Sequence, residues 1–408
     1  MATTVIGAHT LEHMYGRGFL VLIPAIYVAM GLNPIQAGLM DGVRQLAGGA
    51  TSMTGGFFVD IFQHRRAQVL TLSLALIGVG YLLVSIAPSY ALILAALAIA
   101  SAGTAMWHPP ALGLLAQRFP ERRGLFISMH RSTGNLGDWI GPLIVGALLG
   151  SAAGAAEWWG SEWWPWEWSI DWRWIVGGGA PIMLVLATAI FVLLRNVDGP
   201  PLPGVDYKEK IRTQLQSMAD SFRGTGMWSI FTVSAVRGMG DRSLLWVIPF
   251  YLKDDLGYGN ISIGFHVALF AMPGIVTGPL FGALSDRIGR KWITMFIMGA
   301  TGVITLAIVM MGGGWGMTVM VFLFGVFIFT VNSMTQAAAI DVAEGKGLEG
   351  SFIGLMWGSN AFFGAIASIV AGALAEFAGW SSAFYMAAGL YFLGFAVSAL
   401  MPSGRRLV

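Results

Sequence analysis

Apolar residues run along this chain in long blocks, separated by short clusters of glycine, proline, asparagine and charge. A helix needs roughly 20 apolar residues to cross about 30 Å of hydrocarbon. On that measure the blocks predict twelve spans. In the first half they cover 6–30, 35–59, 66–88, 90–117, 123–150 and 174–195, and in the second 227–252, 259–283, 291–313, 315–340, 349–375 and 382–402. The expected units are therefore 1–195 and 227–408, joined by 196–226. That joining segment opens on a turn-rich Asp198–Gly204 stretch. Ile211, Leu215, Met218 and Phe222 then follow at helical spacing, which predicts a short amphipathic helix on the inner membrane surface.

Polar residues fall in only some of the spans. Span 1 carries His9, Glu12, His13 and Arg17, span 2 Asp41 and Arg44, span 4 His108, and span 5 His130, Arg131 and Asp138. In the second half, span 7 carries Arg237, Asp241 and Arg242, and span 8 His266. Spans 3, 6, 9 and 12 carry none in their interiors, a rhythm of three that repeats in both halves. An ionisable group facing lipid costs at least about 2.5–3.5 kcal/mol. Every third helix is thus expected to face lipid while the others line something polar. At 100° per residue, His9, Glu12, His13, Gly16 and Tyr27 share one face of span 1. Arg131, Asn135 and Asp138 likewise share a face of span 5. His266 reads as a structural histidine satisfied by a local contact.

The chain also repeats itself. Gly282-Ala-Leu-Ser-Asp286-Arg287-Ile-Gly289-Arg290-Lys291 lies between two apolar blocks, and a worn copy, Gly56 to Asp60 with His64-Arg65-Arg66, precedes it by 226 residues. Gly38/Gly264 and Gly146/Gly372 keep that spacing, while Arg17/Arg242 and Asn135/Asn360 miss it by one. Duplication over half a chain is a recurring sign of membrane transporters.

Composition agrees with a lipid environment. The hydrophobic fraction is 56% and the charged fraction 11%, against about 25% charged in soluble domains. The net charge of +2 says little about partners. The absence of cysteine excludes disulfides, thiol catalysis and cysteine-held metal. The first apolar block lacks a basic leader and reads as a span rather than a cleavable signal. Lysine and arginine crowd one set of loops, whereas the opposite set holds Arg173 and Lys253. By the positive-inside rule both termini are expected to be cytoplasmic, in an inner membrane. The outer loop 151–173 interleaves tryptophan with acid, from Glu157 and Trp158 to Trp172. It reads as an interfacial anchor or, alternatively, a lid.

Candidate chemistry concentrates in the spans. Glu12, Asp41 and Asp241 are candidate proton carriers, because burial and a nearby arginine move a carboxylate's proton affinity in opposite directions. Candidate solute-binding residues are His13, Arg17, Tyr27, Arg44, His108, Arg131, Asn135, Asp138, Arg237 and Arg242. His9-x-x-Glu12-His13 also matches a zinc-protease pattern. That enzyme reading is set aside because Arg17 lies one turn from His13 and no third-ligand motif follows. No catalytic residue, metal or cofactor is expected, and nucleic acid is not an expected partner. A receptor or scaffold without transport is a further alternative.

The Gly282–Lys291 loop closely resembles the signature loop of the major facilitator superfamily, and the duplicated plan agrees with it. His9-Thr-Leu-Glu-His-Met-Tyr15, Trp107-His108-Pro109, Gly134-Asn135-Leu-Gly137 and Gly141-Pro142 resemble the fosmidomycin-resistance type of efflux protein. The resemblance implies an all-α integral membrane protein of twelve helices in two pseudo-symmetric six-helix bundles, able to work as a monomer. It implies a transporter of a small amphiphilic or anionic solute by alternating access, as proton-coupled efflux or, alternatively, as import of a small organic acid. It assigns gating to Gly282, Asp286, Arg287, Gly289 and Arg290.

Overall fold

The computed structural model describes residues 2–58, 65–150, 169–196, 206–343 and 349–403. Asp60, His64, the tryptophans between 158 and 168, the turn-rich 198–204, Lys346, Arg405 and Arg406 lie outside the described residues. Within those residues the chain is helical and contains no strand. The first half holds α1 (Ala2–Ala29), α2 (Pro34–Phe58), α3 (Arg66–Ile86), α4 (Tyr90–Arg118) and α5 (Arg123–Leu149). Its sixth span is two pieces, α6 (Trp172–Gly178) and α7 (Ala180–Leu194), where the sequence suggested one helix. The second half holds α9 (Met227–Phe250), α10 (Asn260–Ile288), α11 (Arg290–Met311), α12 (Trp315–Ala343), α13 (Glu349–Ala378) and α14 (Ser381–Ser398).

By length and composition, seven stretches among the described residues would cross a membrane: α3, most of α4, α6 with α7, α10, α11, most of α13, and α14. Helices α1, α2, α5 and α9 are not among them. They carry most of the ionisable residues, so their polarity has to be absorbed by neighbouring helices. Helices α3, α7, α11 and α14, which carry no charge in their interiors, present apolar side chains outward. Leu72, Val185, Trp292 and Tyr385 are all exposed.

Between the halves, α2 packs on α13 and α5 on α10. At the end away from the termini both joints close on glycine. A Cβ on Gly38 would sit 2.5 Å from the Ser368 carbonyl oxygen and 3.2 Å from the Gly372 Cα, while one on Gly264 would sit 2.5 Å from the Pro142 carbonyl oxygen and 3.1 Å from the Gly146 Cα. The repeat partners therefore cross: Gly38 meets Gly372 and Gly264 meets Gly146. Two equivalent backbone contacts related by a pseudo-dyad follow directly from the sequence repeat.

Helix α8 (Tyr207–Ser221) starts on Asp206, whose carboxylate accepts from the Lys208 and Glu209 backbone N–H groups. Its stripe is not uniformly covered. Met218 is buried in a cluster with Met227, Ile230, Phe352 and Met356, and Phe222 packs against that cluster, whereas Leu215 is exposed. The C-terminal part of the helix thus docks on the second half.

Candidate functional site

Helix α1 places His9, Glu12 and His13 on the face turned toward α4 and α5. His9 and Glu12 are almost fully buried. His9 Nδ1 donates to the His130 carbonyl at 2.6 Å, and its Nε2 stands 3.3 Å from His108 Nε2. The His130 ring stacks on His9 with centroids 3.6 Å apart. His13 Nδ1 lies 2.9 Å from Asp138 Oδ1, and Arg17 donates to Asp138 Oδ2 at 3.0 Å. Asp138 thereby joins α5 to two successive turns of α1. Gly134 and Gly137 leave room for the two imidazoles against α5.

Asp41 forms a second focus, between the halves. Its carboxylate accepts from Arg44 at 2.9 Å, from Gln45 at 3.4 Å and, across the joint, from Ser368 of α13 at 2.8 Å. Arg44 also reaches the Gly16 carbonyl at 3.4 Å and lies over the Phe19 ring. In the second half Arg237 pairs with Asp241, which also accepts from Tyr391 at 2.8 Å. Arg242 donates to Asn360 at 3.1 Å. Arg242 is within electrostatic reach of Arg17 and Asp41, so the two foci share one polar centre.

Several expected residues lie elsewhere. Tyr27 shares an angular face with His13 but stands fourteen residues further along α1, roughly 21 Å at 1.5 Å per residue. There its ring meets Phe250 at 5.1 Å and Trp380 at 6.4 Å, an aromatic plug at the end away from the termini. Arg131 is exposed and Asn135 half-buried. His108 engages the backbone of Thr104 as well as His9. His266 is satisfied locally, by the Ser262 carbonyl at 2.7 Å and Thr318 at 3.0 Å.

In the loop motif, Gly289 has φ +104°, a left-handed value that glycine tolerates. Arg290 pairs with Asp286 at 3.1 Å and with Asp341 of α12 at 2.6 Å. Those contacts tie α10, α11 and α12 together within one half.

A cavity of about 380 Å³ opens beside α1, α5, α6 and α7, lined by Leu11, Met14, Phe19, Ile144 and Ile182 among others. Its lining is mostly apolar and reaches Phe19, the ring under Arg44. Sequence reasoning did not find Ser368, Tyr391 or Asp341. Ser368 and Tyr391 sit in uncharged apolar runs with no local signal, whereas Asp341 was visible as an acid at the end of a span.

A family profile described as Major Facilitator Superfamily matches residues 5–367. An uncharacterised transporter of that type from Bacillus subtilis is 22% identical over 405 residues, 97% of this chain and 92% of its own length. The fosmidomycin resistance protein of Escherichia coli is 26% identical over 149 residues, 36% of each chain. A probable sulfoacetate transporter of Cupriavidus necator is 26% identical over 286 residues, 66% of this chain and 61% of its own. Among solved structures, a bacterial homolog of the human lysosomal transporter Spinster, inward-facing and occupied, superposes with TM-score 0.72 at 14% identity, covering 98% of this chain and 95% of its own. A peptide transporter in complex with sulfate gives the same score at 15% identity, over 99% and 96%.

Proposed function

Because the chain belongs to the major facilitator superfamily and is a membrane transporter rather than an enzyme, we propose that it moves a small amphiphilic or anionic solute by alternating access, as proton-coupled efflux. The observation that carries this reading is the Asp41–Ser368 hydrogen bond. It ties a buried carboxylate to the opposite half, one turn from the Gly38–Gly372 contact. Parting the halves there breaks the bond and wets the carboxylate. Burial and neighbouring charge set a carboxylate's proton affinity, so the rocking motion and proton exchange become one event. Glu12 and Asp241 are the further carriers.

Arg17, Arg44 and Arg242, with Arg237, supply the positive field for an anionic group, and His13, His108, Arg131, Asn135 and Asp138 complete the polar wall. A relative named for sulfoacetate fits an anionic solute. A relative named for fosmidomycin resistance favours efflux. The second reading is import of a small organic acid; the longer match to the relative named for sulfoacetate supports its solute class, not its direction.

In this reading residues 1–195 and 227–408 rock as units tethered by 196–226. The positive loops place both termini in the cytoplasm of an inner-membrane protein. The glycine joints and the Tyr27–Phe250–Trp380 plug then close the outer side, leaving the centre reachable from within. The Gly282–Arg290 segment, the end of α10 with the Gly289 turn into α11, gates the inner side, and one chain suffices. The test is flux in proteoliposomes with an imposed pH gradient, starting from sulfoacetate and related organic anions. Asp41→Asn should abolish gradient-driven flux while leaving solute exchange at equal pH. Undiminished gradient-driven flux in that variant removes Asp41 from proton coupling.

A further inference from the structure

The histidines at the meeting of α1, α4 and α5 have a property that solute binding does not require. One donor atom from each of His9, Glu12, His13 and His108 lies within 4.8 Å of all the others. His9 spends Nδ1 on the His130 carbonyl, and His13 spends Nδ1 on Asp138. In the neutral tautomer that leaves a lone pair on each Nε2. His108 is anchored by the Thr104 backbone and turns its Nε2 to that of His9 at 3.3 Å. His13 Nε2 and Glu12 Oε2 face each other at 3.5 Å, and both are buried with no hydrogen-bond partner. Opposed lone pairs and an orphaned carboxylate oxygen at such distances repel unless a proton or a metal ion lies among them.

Two of the donor separations, 3.3 Å and 3.5 Å, come close to those around a small tetrahedral ion. A tetrahedral zinc ion with ligands at about 2.0–2.1 Å holds its donors roughly 3.3–3.4 Å apart. We propose that His9, Glu12, His13 and His108 form a four-coordinate site for a borderline divalent transition-metal ion of the zinc class. Three imidazoles with one carboxylate suit such an ion, whereas magnesium and calcium call for oxygen donors. The outer shell is in place. A carboxylate and two backbone groups orient the three rings, as ligating histidines require, and Thr104 holds Glu12 by a side-chain hydrogen bond. Charge also permits it. Glu12 and Asp138 bring two negative charges to the cluster, against Arg17, which is turned to Asp138 Oδ2, and Arg131, which acts on His108 from an exposed position. The two objections raised by the sequence, a repelling Arg17 and a missing third ligand, are thus met by Asp138 and by His108 from α4.

The test uses the full chain, free of any histidine tag and stripped with a chelator, titrated with Co²⁺ and followed by visible absorption, then by Zn²⁺ competition. One equivalent of Co²⁺ should give the intense bands of a four-coordinate ion, and Zn²⁺ should displace it. Asp138→Asn should weaken binding about 10–100-fold, the usual cost of a lost outer-shell partner. His108→Ala and Glu12→Gln should weaken it further, and His266→Ala should leave it unchanged. A titration of the unmodified protein that never saturates, or a weak six-coordinate spectrum, overturns the site without recourse to any variant. Equal binding by a folded His108→Ala protein, checked by gel filtration, overturns it as well.

Discussion

The two halves share a scaffold and differ in what they put at its centre. Arg17 and Arg242 are repeat partners, as are Asn135 and Asn360. In the first half Arg17 engages Asp138, and in the second Arg242 engages Asn360. At the offset that relates the arginines, Asp138 maps onto Phe363, and His9, Glu12 and His13 map onto Ser234, Arg237 and Gly238. The second half thus closes α9 directly onto α13. A Cβ on Gly238 would stand 2.6 Å from the Asn360 backbone, and Ser234 donates to the Met356 carbonyl. The first half gives the same volume to imidazoles and a carboxylate. Duplication supplied the backbone geometry, and side-chain replacement gave one half a cluster of imidazoles and carboxylates while the other keeps a smaller ionisable set, the Arg237–Asp241 pair and Arg242.

The strongest way to break that contrast is Asp138→Asn. Removing one partner of a buried ion pair typically costs about 3–5 kcal/mol, because the other charge stays buried. Arg17 loses its carboxylate and His13 its orienting acceptor. Thermal unfolding in detergent should show the loss, and solute flux should vanish. Phe363→Leu at the equivalent place should cost under about 1.5 kcal/mol, as for other size-conserving swaps. Equal destabilisation by the two would mean that the halves are not chemically distinct.

Tyr391→Phe comes next. It removes the hydroxyl that donates to Asp241, a hydrogen bond to a charged group worth about 1.5–3 kcal/mol. Arg237 still pairs with Asp241, so this half should lose stability yet keep its flux. A flux collapse at unchanged unfolding temperature would show that the Tyr391 hydroxyl itself is needed for the carrier role of Asp241 rather than for packing.

The glycine joints test the symmetry itself. Gly38→Val and Gly264→Val both push a side chain into opposing backbone, an overpacking that typically costs about 1–3 kcal/mol. The chain has no cysteine, so a single Tyr27→Cys reporter at the aromatic plug can be labelled cleanly. Both substitutions should raise its labelling rate by a similar factor. A response from one joint alone would show that the pseudo-dyad does not extend to the motion.

Much of this arrangement was legible before any coordinates. The glycine pairs marked the repeat but not the joints: each meets a glycine of the other pair, Gly38 with Gly372 and Gly264 with Gly146, and the two contacts are images of one another. The three-fold rhythm separated α3, α7, α11 and α14 from the rest, because their interiors hold no group that needs a polar neighbour. What stayed hidden has a common cause. A helical wheel gives an angle but no depth, which is why Tyr27 seemed to belong with His13. It gives no partner on another helix either, so the meeting of His9 with His108 could not be read. Ser368 and Tyr391 carry no charge to draw notice within their apolar runs. Asp341 stood in plain view, but nothing local linked it to Arg290.

That pair yields the smallest expected effect and tests the gating role. Arg290 bridges Asp286 and Asp341, and both acids are about half exposed, at 48% and 49%. Ion pairs in such surroundings contribute about 0–1 kcal/mol and weaken as salt screens them. Asp341→Asn should therefore leave the unfolding temperature almost unchanged. If the loop only orients the chain in the membrane, flux should be unchanged too, since no positive charge is lost. If it gates, releasing Arg290 frees α11 from α12 at that end, and flux should change and lose its dependence on ionic strength. Unaltered flux at every salt concentration would reduce the loop to a topological signal, whereas altered flux at constant stability would set it apart from Asp138, where the two must fall together.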